Sequence, residues 1–213
     1  TGEEEIFSRL LSGIDCVFTK EKLSPETTEL AKEANVISVF INSEISPAVM
    51  DALPNLKLIT TRSTGFDHID TTYAGGKNIK VANVPAYGSQ TVAEFTFALI
   101  LNLSRKIFEA RKQIIEKESF DLTGLEGFDL NEKTLGVVGT GRIGKNVIKI
   151  AKAFGMKVLA NDVKPDINLA AELSFEYTDL ETLLKNSDIV TLHAPYLTKN
   201  KHLINIYYNN FLV

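Results

Sequence analysis

A glycine-rich turn between an apolar strand and a helical pattern constrains this chain more than any other feature. The turn, residues 139–144 (GTGRIG), follows the apolar run 135–138, and Asp162 ends the next apolar run. In this order the first glycine makes a tight turn and the second admits a pyrophosphate. The third glycine lets the helix pack on the strand, and the helix N-terminus supplies N–H donors. The arrangement predicts a dinucleotide site in a parallel α/β domain.

Asp162 indicates which dinucleotide the turn would take. It lies at the carboxyl end of the second predicted strand, where a carboxylate accepts hydrogen bonds from the adenosine ribose and repels a 2′-phosphate. NAD is therefore favoured over NADP, although Lys164 nearby keeps the NADP alternative open. A solvated turn acid before Pro165 is the plain structural alternative.

The same segment nearly matches a second glycine-rich pattern. Gly139, Gly144 and Lys145 fit the P-loop spacing, but Asn146 stands where a serine or threonine hydroxyl would bind Mg²⁺. An NTP-hydrolysing site is therefore a remote alternative. A methyltransferase, which also combines a glycine-rich turn with an acid after the second strand, is another, although it does not need the α/β segment before the turn.

Composition excludes several other classes. The chain has 213 residues, a formal net charge of −4 and 44% hydrophobic residues, which is typical of a globular protein and not of a nucleic-acid surface. The apolar stretch 95–103 is too short to span a bilayer. A single cysteine, Cys16, excludes an internal disulfide and fits the reducing cytoplasm. We expect a cytoplasmic protein without nucleic-acid or membrane partners.

The chain alternates between strand and helix signals on both sides of a long helical pattern. In the first domain, residues 1–90, helix starts such as Ser24-Pro25 separate strands predicted at 16–18, 36–41, 56–60 and 79–84. The second domain, residues 119–213, has four predicted strands at 135–138, 157–160, 175–177 and 189–192. This alternation predicts parallel βαβ units in both domains.

Residues 91–118 are predicted to form one interdomain helix. Thr91 and Glu94 have the spacing of a capping box at its start. Apolar residues recur every four positions at Phe95, Leu99 and Leu103, and a helix of this length would reach about 40 Å. Such a helix is well suited to joining two domains.

Several segments together carry a resemblance to a known family. They are 61–70 (TRSTGFDHID), 83–88 (NVPAYG), 91–94 (TVAE), the glycine turn with Asp162, 192–195 (LHAP) and 202–205 (HLIN). In this order the chain resembles the D-isomer-specific 2-hydroxyacid dehydrogenases, particularly their D-lactate dehydrogenase-like branch. The resemblance covers nearly the whole chain.

The resemblance implies a fold, an activity and an assembly. It implies a flavodoxin-like substrate domain and an inserted Rossmann NAD-binding domain with a parallel sheet, both incomplete here, with the active site between them. The activity would be NAD-dependent interconversion of a small 2-oxo acid and its D-2-hydroxy acid. The full-length protein would be a homodimer.

The resemblance also assigns site residues in this chain. Backbone N–H groups of Thr64 and Gly65 would hold the substrate carboxylate, and Tyr87 would close over the substrate. The residues assigned to the NAD site are Gly139, Gly141, Arg142, Ile143, Gly144, Asp162, His193, Ala194, Pro195 and Asn200. No spacing of histidine, cysteine or carboxylate residues predicts a metal site.

The family's catalytic arginine, glutamate and histidine have no counterpart in this sequence. They would follow the point at Asn205 where the sequence leaves the family pattern, and none of His68, His193 and His202 has a carboxylate partner at an identifying spacing. We therefore expect an incomplete part of a longer protein, without dehydrogenase turnover of its own. A non-catalytic NAD-binding regulator or an inactive remnant is the alternative.

Overall fold

The computed structural model describes residues 2–117, 121–195 and 200–205, and the chain divides into two compact units. The units are Thr1–Tyr87 and Gly88–Val213, so the division falls three residues before the predicted boundary after residue 90. Residues 118–120, where the second domain was expected to begin, lie outside the described residues. So do residues 206–213, where the sequence is expected to leave the family pattern.

The first unit is built on a parallel sheet of three strands in the order β1-β2-β3. The strands are β1 Val36–Val39, β2 Leu58–Thr61 and β3 Lys80–Ala82. The helices are α1 Gly2–Leu10, a 3-10 helix Pro25–Ala31, α2 Pro47–Asp51 and α3 Thr71–Gly76. The structure confirms the parallel βαβ arrangement expected for residues 36–84.

The core of the first unit forms around β2 because that strand has a partner on each side. Ile59 on β2 is completely buried, and so are Ile45 and Val49 on the segments that cover the sheet. The side chain of Asp70 accepts a hydrogen bond of 2.8 Å from the Tyr73 N–H and so caps α3. A candidate binding loop follows the carboxyl end of β2, between this core and α3.

The second unit contains a four-stranded, fully parallel sheet in the order β6-β5-β4-β7. Its strands are β4 Thr134–Val138, β5 Lys157–Asn161, β6 Glu176–Tyr177 and β7 Ile189–Leu192. Its helices are α4 Ser89–Ser104, α5 Ile107–Lys117, α6 Arg142–Ala153, α7 Ile167–Leu173 and α8 Leu180–Asn186. All four strands predicted from the sequence are present.

The strand order creates a switch point at β4. The chain runs outward from β4 through β5 to β6, and α8 then returns it to β7 on the other side of β4. Gly136 on β4 allows α8 to approach, since a Cβ there would lie 2.5 Å from a Leu183 methyl group. In parallel α/β sheets, ligands bind at the carboxyl ends of the strands where the order reverses. The glycine turn follows β4 directly at this point.

The single long helix expected over residues 91–118 is wrong: the structure contains two helices, both within the second unit. In a continuous helix the Phe108 N–H would donate to the Ser104 carbonyl. Here the Phe128 N–H donates to that carbonyl at 2.9 Å, and the Phe108 N–H donates to Asn102 Oδ1 at 3.1 Å. Lys106 has a left-handed φ of 53° at the break. A loop far along the chain therefore ends the helix.

Two local expectations also differ from the structure. Residues 16–18 do not form a strand, and Val17 is 82% exposed, because an apolar run alone does not provide a neighbouring strand. The capping box at Thr91 and Glu94 is absent because the helix begins two residues earlier, at Ser89 after Gly88. Glu94 instead accepts a hydrogen bond of 2.8 Å from Gln90 Nε2.

Within the described ranges, none of the helices combines the length and the apolar character needed to cross a bilayer.

Candidate functional site

The glycine turn lies where the backbone of three strands converges. Gly139 has a φ of +94°, which glycine adopts without the steric cost of a side chain. Its N–H donates to the Asn161 carbonyl at the end of β5 at 2.8 Å. A Cβ on Gly139 would lie 2.7 Å from the backbone nitrogen of Ala194, just after β7. The first glycine is therefore required by the packing of the turn itself.

The second and third glycines of the motif differ in their surroundings. A Cβ on Gly144 would lie 2.0 Å from the carbonyl oxygen of Gly139, so this glycine lets α6 pack onto the turn. A Cβ on Gly141 would meet nothing within 4 Å, and its φ of −63° is available to any residue. Protein packing therefore does not require glycine at position 141. Position 141 therefore has open space beside it.

The first turn of α6 faces this open space. Gly141 is the N-cap, and the N–H of Lys145 donates to its carbonyl at 2.9 Å. The N–H groups before Lys145 are those that an α-helix leaves without partners inside the helix. The exposed Arg142 lies in this turn, whereas the Ile143 side chain packs against the core of the unit. Ile143 can therefore contribute only its backbone to an anion site.

Asp162 follows β5 and contacts the glycine turn. Its Oδ2 accepts hydrogen bonds from the Thr140 N–H at 2.6 Å and from the Thr140 hydroxyl at 3.0 Å, and its Oδ1 accepts one from the Lys164 N–H at 2.9 Å. Burial acts to raise the pKa of Asp162, but these hydrogen bonds, with one from the Val163 N–H, together hold the pKa below its ordinary value. A negative charge therefore lies beside the turn at neutral pH.

His193 follows β7 and lies beside Gly139, on the side of the glycine turn towards β7. Its N–H donates to the Val138 carbonyl at 2.7 Å, and its Nε2 lies 2.9 Å from the Thr191 hydroxyl. Burial lowers the pKa of His193, so the neutral imidazole is favoured at physiological pH. The structure brings His193 beside Gly139, as expected for a residue at the cofactor end of the sheet.

The last three predicted cofactor residues lie along one cleft beyond β7. Asn200 Nδ2 donates to the Pro195 carbonyl at 2.7 Å, and this hydrogen bond joins residues 195 and 200. The cleft has a volume of about 250 Å³, and it is lined by Leu192, Ala194, Pro195, Asn200, His202, Leu203 and Ile204. Its wall is largely apolar, which suits a flat aromatic group better than a phosphate.

In the first unit, a separate loop emerges from the carboxyl end of β2. Thr61 Oγ1 lies 2.6 Å from Ser63 Oγ, and the Ser63 hydroxyl donates to the Gly65 carbonyl at 2.7 Å. Thr61 and Ser63 are 1% and 3% exposed, so both hydroxyls act inside the protein. The Thr64 hydroxyl donates to the Val84 carbonyl at 2.9 Å. These bonds hold the loop in one shape.

The loop shape leaves two backbone donors available. Among the described residues, the N–H groups of Thr64 and Gly65 have no acceptor, and both residues are exposed. Two adjacent free N–H groups after a strand suit a small anion such as a carboxylate. This geometry fits the role predicted for Thr64 and Gly65. Tyr87 is 63% exposed at the end of this unit, and its expected closure over a substrate stays a prediction.

Two sets of residues that shape these features are not among the site residues predicted from the sequence. The sequence indicates His68 only as a catalytic candidate, yet its Nε2 lies 3.2 Å from the buried Thr61 hydroxyl. Burial lowers the pKa of His68, and the charge of Asp67 opposes that effect. Thr140 and Tyr177, whose hydroxyl oxygens lie 2.8 Å apart, form the second set. Their positions beside strand ends were the available signal.

Within residues 2–117, 121–195 and 200–205, no three histidine, cysteine or carboxylate side chains gather as a metal site.

Comparison with protein families supplies independent information on the second unit. The sequence model described as "D-isomer specific 2-hydroxyacid dehydrogenase, NAD binding domain" matches residues 97–207, which is more than half of the chain. The match includes the glycine turn, Asp162 and the segment after β7.

Individual relatives match along nearly the whole chain. A 2-hydroxyacid dehydrogenase homolog of Zymomonas mobilis is 39% identical over 196 residues, and the D-lactate dehydrogenase of Escherichia coli is 37% identical over 195 residues. Each alignment covers 91% of this chain and 59% of the relative. The chain thus spans about three fifths of the length of these two proteins.

Solved structures show the same similarity in three dimensions. D-lactate dehydrogenase from Aquifex aeolicus, complexed with NAD and lactic acid, has a TM-score of 0.90 and 36% identity. The match covers 99% of this chain and 63% of that chain. The apo-structure of the Escherichia coli D-lactate dehydrogenase has a TM-score of 0.84 and 34% identity, covering 99% of this chain and 67% of that one.

Proposed function

The chain belongs to the D-isomer-specific 2-hydroxyacid dehydrogenase family, and on that premise we propose that it binds NAD for the oxidation or reduction of a D-2-hydroxy acid. Its second unit is the parallel-sheet, Rossmann NAD-binding domain of that family. The whole protein's reaction is reduction of a 2-oxo acid by NADH and its reverse. NADH, when bound, supplies the hydride that reduces the carbonyl carbon.

One observation carries the proposal for the cofactor. Gly144 is closely packed against the turn, whereas Gly141 faces open space at the start of α6, where the strand order reverses. A pyrophosphate placed there would meet N–H donors and the positive end of the helix dipole. The charged Asp162 beside it would accept a ribose hydroxyl and oppose a 2′-phosphate, which supports NAD over NADP.

The substrate proposal rests on the loop after β2. The free N–H groups of Thr64 and Gly65 would hold the carboxylate of a 2-oxo or 2-hydroxy acid, while Ser63 keeps the loop in shape. The loop supplies no positive side chain of its own within residues 63–66, so neutral backbone donors would carry the recognition. Small 2-oxo acids fit this scheme, with Tyr87 as the proposed cover.

We also propose that the 213-residue chain binds NADH without turning over a substrate. Reduction of a carbonyl needs a proton donor that a carboxylate orients. In the described parts of the chain, the ring Nε2 atoms of His68 and His193 both pair with threonine hydroxyls. This pairing also suits the alternative function, a non-catalytic NAD-binding regulator or remnant.

Two further properties of the parent protein belong to the same proposal. We propose a cytoplasmic location, supported by the single cysteine. We also propose a homodimer, supported by an exposed apolar row on α4, in which Phe95, Leu99 and Leu103 are each at least half exposed.

The experiment is a titration of the purified chain with NADH and NADPH, followed by cofactor fluorescence. We expect NADH to bind and NADPH to bind at least tenfold more weakly, because the Asp162 charge opposes the 2′-phosphate. Absence of NADH binding by a folded chain would contradict the cofactor proposal. Absorbance at 340 nm with pyruvate then tests turnover: NADH oxidation by the chain alone would contradict the proposed inactivity.

A further inference from the structure

A chain of hydroxyl groups connects the edge strand of the second sheet to the glycine turn. The hydroxyl oxygens of Tyr177 and Thr140 lie 2.8 Å apart, and the Thr140 hydroxyl lies 3.0 Å from Asp162 Oδ2. Tyr177 is on β6, which pairs with β5, and Asp162 follows β5 directly. Parallel pairing therefore brings a tyrosine from the sheet edge to the carboxylate beside the turn.

The direction of these hydrogen bonds follows from the chemistry of the groups. An ionised carboxylate only accepts hydrogen bonds, so the Thr140 hydroxyl must donate its single proton to Asp162. The Thr140 oxygen is then an acceptor towards Tyr177, and the Tyr177 hydroxyl is the donor. We call this ordered set, from Tyr177 through Thr140 to Asp162, the hydroxyl relay.

The hydroxyl relay determines which acceptor positions of Asp162 remain. Asp162 Oδ2 already accepts two hydrogen bonds, both from Thr140, whereas Oδ1 accepts one from the Lys164 N–H. A carboxylate oxygen has about two lone-pair directions. Thr140 therefore occupies both lone-pair directions of Oδ2, and a ribose hydroxyl would approach the Oδ1 side, which the Lys164 N–H also contacts.

The packing around Tyr177 keeps the first donor of the relay in place. Its ring is half-buried and meets the Phe175 ring edge-to-face, with the centroids 5.0 Å apart. Thr140 is β-branched, which restricts its χ1 rotation. The side chains of Tyr177 and Thr140 thus both have limited rotational freedom.

We propose that Tyr177 is a positioning residue for the cofactor: through Thr140 it orients the Asp162 carboxylate and so strengthens discrimination between NAD and NADP. This inference rests on the proposed binding of NAD by the second unit. It assigns a role to Tyr177, which does not itself need to touch the cofactor. When the relay is broken, the carboxylate keeps its hydrogen bonds from backbone N–H groups, but the side-chain hydrogen bond to Oδ2 is lost or no longer directed, so the orientation of the carboxylate relative to the turn is held less tightly.

The first test measures NADH and NADPH dissociation constants for Tyr177→Phe and Thr140→Val. A net hydrogen bond corresponds to about a 2- to 12-fold change in an equilibrium constant. We expect NADH to bind about 3- to 10-fold more weakly in both variants, NADPH binding to change less, and the NADH preference to fall. Thr140→Ser, which keeps the hydroxyl, should restore the preference to within about twofold.

The double variant Tyr177→Phe/Thr140→Val should be no worse than Thr140→Val alone, because both changes interrupt the same relay. Tyr73→Phe is the matched control. The Tyr73 hydroxyl also donates to a carboxylate, Asp51, at 2.8 Å, but it lies in the first unit. Its removal should leave the NADH preference unchanged. A preference that is unchanged in Tyr177→Phe, or an additive double variant, would overturn the inference.

The second test does not depend on cofactor binding. NMR titration of the Asp162 carboxyl in the free chain should show a raised pKa in Thr140→Val and a smaller rise in Tyr177→Phe, because hydrogen bonds to the charged form are lost. If the wild-type chain binds no NADH, the proposed function fails, and the relay is decided by this pKa alone. A Tyr177→Phe chain with an unchanged Asp162 pKa overturns the relay even if NADH binds.

Discussion

Two segments that leave parallel sheets at the carboxyl ends of inner strands are held in place by opposite means. The 63–66 loop after β2 is supported by buried hydroxyls, which bond to each other and to the Gly65 carbonyl. The 139–144 turn after β4 is held by close packing of backbone atoms, which is possible because Gly139 and Gly144 have no side chains. Polar bonds shape the first segment, and close packing shapes the second.

The difference suits the ligand that we propose for each segment. A small carboxylate needs two adjacent donors, and the hydroxyls beneath the 63–66 loop can hold those donors outward. A dinucleotide pyrophosphate needs a helix start that it can approach closely, which bulky side chains would block. The costs of substitution should differ accordingly: adding atoms should damage the turn, whereas removing atoms should damage the loop.

The largest effect is expected from Gly144→Ala. The new Cβ would lie 2.0 Å from the Gly139 carbonyl oxygen, so α6 or the turn must move. Overpacking by one methyl group costs about 1–3 kcal/mol, and because the neighbour here is backbone we expect the upper end, about 3 kcal/mol. Denaturant unfolding followed by amide exchange in the second unit measures this change.

Gly141→Ala is the matched control for Gly144→Ala. Its Cβ would meet nothing within 4 Å, so stability should fall by no more than about 1 kcal/mol, the usual scale of an N-cap change. NADH affinity should nevertheless fall at least tenfold, because the methyl group occupies the space proposed for the pyrophosphate. Equal stability losses in the two variants would remove the distinction between a packing glycine and a binding glycine.

An intermediate effect is expected from Ser63→Ala in the first unit. The change removes the partner that the buried Thr61 hydroxyl shares with the Gly65 carbonyl, while Thr61 keeps its contact with His68. We therefore expect a cost of about 1–2 kcal/mol, the scale of one or two net hydrogen bonds. Amide exchange should show the loss in the first unit, with NADH affinity unchanged. Thr64→Val, which removes an exposed hydroxyl from the same loop, should cost less than about 1 kcal/mol. A larger loss of stability in Thr64→Val than in Ser63→Ala would show that the Thr64 hydroxyl, and not the Ser63 hydroxyl, holds the loop in shape.

The smallest effect is a pH dependence shared by both segments. Burial lowers the pKa values of His68 and His193, so each folded unit favours the neutral ring. Their contribution to stability is complete above the ordinary value of 6.5, and it is lost as the pH falls from there towards the lower folded-state pKa.

Acidification from pH 7.5 to 5.5 should therefore lower the unfolding midpoint of both units. His68→Gln should flatten this slope for the first unit alone, and His193→Gln for the second alone. Amide exchange at each pH separates the two. A steeper slope in either variant would show that the histidine stabilises its unit when protonated.

Local patterns predicted most of the second unit. The four strands and the glycine turn were foreseen because apolar runs and glycine spacing are properties of adjacent residues, and the position of Asp162 followed from the strand end. The Thr61–Ser63 pair and the Tyr177–Thr140 pair were not foreseen. The first depends on which hydroxyls the loop buries, and the second joins residues 37 apart through the pairing of β5 with β6.

The helix break at Lys106 also depends on a contact between distant parts of the chain, which local patterns do not predict. Its apolar spacing favours one continuous helix, and the competing hydrogen bond comes from Phe128, which is made later on the ribosome. A Cβ on Gly127 would lie 2.0 Å from the Ser104 carbonyl oxygen, so this loop can dock only because residue 127 is glycine. The bend between α4 and α5 therefore depends on residues that are absent until about twenty more residues have been added after Lys106. Until then, no Phe128 N–H competes for the Ser104 carbonyl.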